Sequence, residues 1–170
     1  MNVSAGIRKL GLTAHVLSSV GWLGAVAAFL ALAIVGLTGG QGQSAIASYL
    51  AMDRITRSVI VPLCWASLLT GIVQSLGTPW GLVRYYWVLL KLGLTAFGTV
   101  GLMLHTRAIR YAAGIAATRS FGADADEVRI QLVATAGAAI ALLLAATVLS
   151  VYKPRGLTPY GLAKQRGESG

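Results

Sequence analysis

The sequence predicts an all-α fold, a polytopic membrane protein built as a four-helix transmembrane bundle, and three observations predict it. Four apolar runs are each long enough to cross a ~30 Å hydrocarbon core. Only 11% of the residues are charged, where soluble domains carry about a quarter. The basic residues flank the apolar runs instead of interrupting them, as topology-setting and headgroup-anchoring residues do.

The first run covers about 10–37 and follows Arg8 and Lys9. It exceeds the ~7–15 apolar residues of a signal-peptide core, and no cleavage pattern follows it, so it reads as a retained helix. The Gly- and Gln-rich stretch 39–43 breaks it, and an amphipathic helical segment, 44–57, leads into the second run at 58–77. Pro62 stands in the first turns of that run, where a missing N–H costs least. A turn at 78–81 precedes the third run, 87–105, whose helix continues past Arg107, Arg110 and Tyr111 into water. The stretch 120–126 is polar and turn-like, and the fourth run, 130–151, stops at Lys153 and Pro154. Residues 1–153 thus form one transmembrane domain, and 154–170 read as a flexible basic tail with no core of its own.

Small residues four apart, Gly21 with Ala25, Ala134 with Ala138, Gly137 with Ala141 and Ala141 with Ala145, read as packing faces inside the bundle, with oligomer contacts as the alternative. The same reading covers Gly93, Gly98 and Gly101 in the third run. The net charge of +9 has its place at the membrane surface and calls for no nucleic acid as partner. Cys64 is the sole cysteine, so an internal disulfide is excluded, as is a cysteine-built metal site. Seven basic residues fall on the side of the termini (Arg8, Lys9, Arg84, Lys153, Arg155, Lys164, Arg166) and six on the other (Arg54, Arg57, Arg107, Arg110, Arg119, Arg129). The basic ends favour both termini in the cytoplasm of a bacterial inner membrane.

Chemistry inside a bilayer falls to the few polar side chains within the spans. At 1.5 Å per residue, His15 lies about two turns into the first helix, Lys91 about one turn into the third, and Gln74 about one turn before the end of the second. A His, a Lys and a Gln on three helices therefore share one depth, at a level crowded by Trp80, Tyr85, Tyr86 and Trp87. Taken singly, each has an ordinary explanation. His15 can bond Ser19 or a neighbouring helix, Lys91 can snorkel, and the aromatics can form an interfacial belt. His105 is 14 residues beyond Lys91, hence ~21 Å further along the same helix, in the headgroup region of the opposite face.

His15, Ser19, Trp22 and Gly24 on the first helix, followed by Trp87 and Lys91 on the third, resemble a superfamily of small four-helix bacterial membrane proteins. It includes the HemJ-type protoporphyrinogen oxidase, the membrane domain of CopD-type copper-resistance proteins, and related families of unassigned function. The run from Cys64 to Leu92 looks most like one of the last group. The resemblance implies a b-type haem or a porphyrin held within the bundle in a redox-related role. His15 would be axial ligand to the haem iron and Lys91 the partner of a propionate, with Gln74, Trp22, Trp80 and Trp87 lining the site. The sequence departs from a six-coordinate site in having no second histidine at that depth. Two other readings stand beside it: a cofactor-free membrane scaffold or accessory subunit, in which His15 and Lys91 bridge helices, and copper handling, which would want Met and Cys clusters.

Overall fold

The computed structural model describes residues 5–40, 42–77, 82–118, 124–154 and 156–167, and their regular structure is helical. The elements are α1 (Ala5–Thr38), α2 (Gln43–Ile55), a π-helical turn (Thr56–Ile60), α3 (Val61–Leu76), α4 (Tyr86–Thr118), α5 (Asp124–Tyr152) and α6 (Pro159–Gly167). Among the described residues, four stretches are long and apolar enough to cross a membrane: Gly6–Thr38, Gln43–Leu76, Tyr86–Thr118 and Asp126–Tyr152.

In the second of these stretches α2, the π turn and α3 run on as one rod, so the amphipathic helical segment that leads into the second run is continuous with it. Pro62 explains the π turn. Its ring crowds the preceding turn and it has no N–H to offer, and the wider turn over Thr56–Ile60 absorbs the misfit without ending the helix. The helix of the third stretch continues past residue 105 through Arg107, Arg110 and Tyr111, as the sequence predicts, and ends at Thr118.

Round the bundle, α1 packs on the α2–α3 rod and on α5, and α4 packs on the same two, so α1 and α4 face each other across the diagonal. The buried stripe of α1 is Trp22, Ala25, Val26, Phe29 and Ala33, at helical spacing. It meets Tyr49, Met52, Ile60 and Cys64 of the rod. On α5 the packed face is Leu132, Ala136, Leu143 and Ala146. Ala134, Ala138, Ala141 and Ala145 point outward, so the small-residue pairs predicted to pack inside the bundle do not do so. The interior takes Leu132 and Leu143, with Ala136 and Ala146 on the same face. Gly21 of α1 and Gly98 of α4 do face neighbours: a side chain there would meet Leu63 and Leu142 respectively, each at 3.2 Å.

At the end remote from the termini, α1 closes on Gly40, whose φ of +59° is left-handed and favours glycine. Arg129 secures this turn. It is 8% exposed, donates to Gly40 O at 2.9 Å, pairs with Asp126 at 3.0 Å and lies 5.9 Å above the Tyr49 ring. At the other end α5 stops at Lys153, itself left-handed, just before Pro154.

Where the sequence reads 154–170 as a tail with no core of its own, the structure docks part of it on the segment preceding α4. Thr158 N donates to Arg84 O at 3.0 Å, Thr158 Oγ1 donates to Val83 O at 2.6 Å, and Tyr86 N donates to Gly156 O at 3.2 Å. Thr158 also caps α6, because its Oγ1 accepts from Gly161 N at 3.1 Å and Pro159 fills the first helical position.

Candidate functional site

Of the three polar residues predicted at one depth, two are brought into contact. Lys91 Nζ stands 3.3 Å from His15 Nε2, across the diagonal between α4 and α1. His15 Nδ1 lies 3.1 Å from both Ser67 O and Thr70 Oγ1 on α3. A carbonyl oxygen can only accept, so Nδ1 carries the proton and Nε2 is left as the nitrogen that accepts from Lys91. Gln74 sits one turn further out along the same rod, its amide facing Gly11 of α1. Its Nε2 is buried without a hydrogen-bond partner.

Local sequence makes this convergence possible. Gly71 opposes the imidazole so closely that a Cβ there would lie 3.0 Å from His15 Cε1. A side chain there would press on the ring, which would have to give by a few tenths of an ångström. On α4, Lys91, Thr95 and Thr99 are spaced by four and share one face, with Thr95 and Thr99 buried. Each threonine donates to the carbonyl four residues back, at 2.7 Å and 2.8 Å.

Behind the pair lies a set of small polar groups that the sequence reading does not single out. Ser19 Oγ bonds Ser67 Oγ at 2.8 Å, and Cys64 Sγ donates to Thr99 Oγ1 at 3.1 Å. Ser19 is thus a partner of Ser67 and not of His15. The cluster reaches from the level of Gln74 inward to Cys64 and then gives way to the apolar core around Trp22. Every described acidic residue (Asp53, Asp124, Asp126, Glu127) belongs to the opposite end of the bundle, where Asp53 pairs with Arg57 at 2.8 Å. Lys91 therefore has an imidazole, not a carboxylate, as its partner.

The other predicted site residues are placed differently. Trp22 is 3% exposed, lies two turns deeper than His15 and packs near Gly98. Trp87 is half-buried in the first turn of α4, and Trp80 falls outside the described residues. His105 is half-buried within α4, which continues past it, and it borders an apolar cavity of about 270 Å³ between the helices.

An iron porphyrin on His15 would need open space in front of Nε2, and Lys91 Nζ occupies that position. Ligation of iron by His15 would therefore require Lys91 to move from Nε2. For copper, no group of three or more His, Cys, Asp or Glu side chains forms a metal-ligand set among the described residues. The chain matches no protein-family model, no curated protein and no solved structure.

Proposed function

We propose that the chain is a four-span integral membrane protein, a scaffold or accessory subunit, whose central feature is the His15–Lys91 bridge between its first and third spans. The bundle's outer surface supports the membrane placement. Leu17, Val20, Phe97, Leu104 and Val148 are each more than half exposed, and water does not tolerate so continuous an apolar surface. The observation that carries the bridge is the 3.3 Å contact itself, made by an imidazole whose other nitrogen is already bonded to α3. One side chain thus ties three helices together, and intramembrane polar groups are costly unless they are paired in this way.

A second reading, the b-type haem or porphyrin site that the resemblance implies, is favoured by one specific observation. Nδ1 bonded to a backbone carbonyl is the arrangement that holds a metal-ligating histidine in its proper tautomer. It requires Lys91 to withdraw from Nε2, after which its ammonium could partner a propionate.

The absorption spectrum separates the two. The bridge predicts that protein purified from cells supplied with ample haem is colourless and takes up neither haem nor porphyrin afterwards. A Soret band that His15→Ala abolishes, and that Lys91→Ala weakens, would overturn the bridge in favour of the cofactor site.

A further inference from the structure

The end of the bundle that holds the termini is the more strongly charged one. By sequence it carries seven basic residues against one acidic residue, Glu168, while the other end carries six against four. Six net positive charges therefore belong to one end and two to the other. Arg155, Lys164 and Arg166 all lie in α6 or in the segment that leads into it. What α6 docks on fixes its level. Leu157 pairs with Tyr85 in an isolated antiparallel bridge, and Thr158 bonds to Val83 O and Arg84 O. Gly161 is buried against Arg84, whose carbonyl leaves no room there for a side chain. The helix thus lies beside the residues just before α4, at the level where the third span begins. Tyr86 at the start of α4 and Tyr152 at the end of α5 are more than half exposed at this level, as interfacial tyrosines are. With Gly161 on the docked side of α6, Tyr160 (59% exposed), Leu162 (46%) and Ala163 face away from the protein. A nine-residue helix that contains a glycine is marginal in water by itself, and α6 is not packed into the bundle.

We propose that α6 is an interfacial helix that lies in the headgroup layer with its exposed side against lipid, and that the basic end of the chain holds it there on the phosphates of anionic phospholipids. Charge complementarity selects this occupant. An end with six net positive charges attracts an anionic leaflet, and a polybasic segment next to a membrane span is the pattern that such lipids recognise. Level and composition select it as well, because a helix at headgroup depth with Tyr and Leu among basic residues buries its apolar side chains in the interface. The proposal rests on the membrane placement and is independent of the His15–Lys91 bridge.

The test places a nitrobenzoxadiazole fluorophore on Ala163→Cys in a Cys64→Ser background of the full chain, in nanodiscs of phosphatidylcholine with and without phosphatidylglycerol. The readout is quenching by lipid that carries a spin label at its headgroup. Quenching should rise as phosphatidylglycerol is added and fall again at high salt, which screens exposed charges. Lys164→Gln combined with Arg166→Gln should shift the balance towards a helix lifted off the surface about thirtyfold, the attraction of two basic residues near an anionic leaflet. Tyr160→Ser combined with Leu162→Ser should lower quenching in both membranes. A second fluorophore, on Phe97→Cys, stands at a mid-span position that is 72% exposed and should be quenched by chain-labelled lipid in every disc. Quenching at Phe97 with no response of α6 to phosphatidylglycerol would overturn this proposal alone. Quenching at neither position would remove the membrane placement and the proposal with it. Inorganic phosphate that reverses the quenching more than chloride does at equal ionic strength would assign the site to a free anion and overturn the lipid.

Discussion

His15 is the residue on which most of the interior polar contacts depend, and its position is set by a neighbour with no side chain. A methyl group at Gly71 would lie 3.0 Å from His15 Cε1, inside ordinary contact distance, and would press on a ring that is bonded to Ser67 and Thr70. Gly71→Ala is therefore expected to lower the midpoint of thermal unfolding in detergent by the few degrees that correspond to ~1 kcal/mol. An unchanged midpoint would show that the imidazole has room to spare. At this scale the sequence was partly legible. The 1.5 Å rise alone placed His15, Lys91 and Gln74 at one level. The partners of His15 were not legible, because Ser67 contributes its backbone carbonyl and Thr70 looks like any other hydroxyl in an apolar helix, most of which bond back to their own helix. Lys91, Thr95 and Thr99, four residues apart, did leave a readable signal.

Helices two and five show how local rules were overridden. Pro62 reads as a helix start, yet a π turn carries the chain through it and joins α2 to α3. On α5, spacing alone could not tell the packed face from the outer one, since alanines occupy both and only the leucines at 132 and 143 mark the inner side. The docked tail had a signal in Thr158 followed by Pro159, a helix cap followed by a favoured first residue, overshadowed by the basic composition of the segment. Thr158→Ala should remove both the cap and the bond to Val83 O, a loss of ~1 kcal/mol for the cap alone. Limited proteolysis should then cut within Pro159–Gly167 several times faster than in the parent protein. An unchanged cutting rate would mean that the tail docks without its cap.

For the whole molecule, the four apolar runs, the small charged fraction and the basic flanks were enough to read an all-helical bundle, because each follows from the bilayer-sized length of the helices. The bundle's internal geometry was not, since which helices sit diagonally depends on packing that no single helix encodes. The membrane placement predicts that thiol labels at Ser44→Cys and Ala117→Cys, in a Cys64→Ser background, react from one side and a label at Leu162→Cys from the other. Ser44 and Ala117 reacting from opposite sides would reduce the number of spans. What distinguishes this bundle from any other is the link from α1 to α4 through His15 and Lys91, and a double-mutant cycle in detergent measures it directly. The unfolding free energies of the parent, His15→Ala, Lys91→Ala and the double variant should be non-additive by ~0.6–2 kcal/mol, the range of membrane-interior hydrogen bonds. Additivity to within ~0.3 kcal/mol would contradict the bridge, for it would mean that the two side chains stand 3.3 Å apart without holding the helices together.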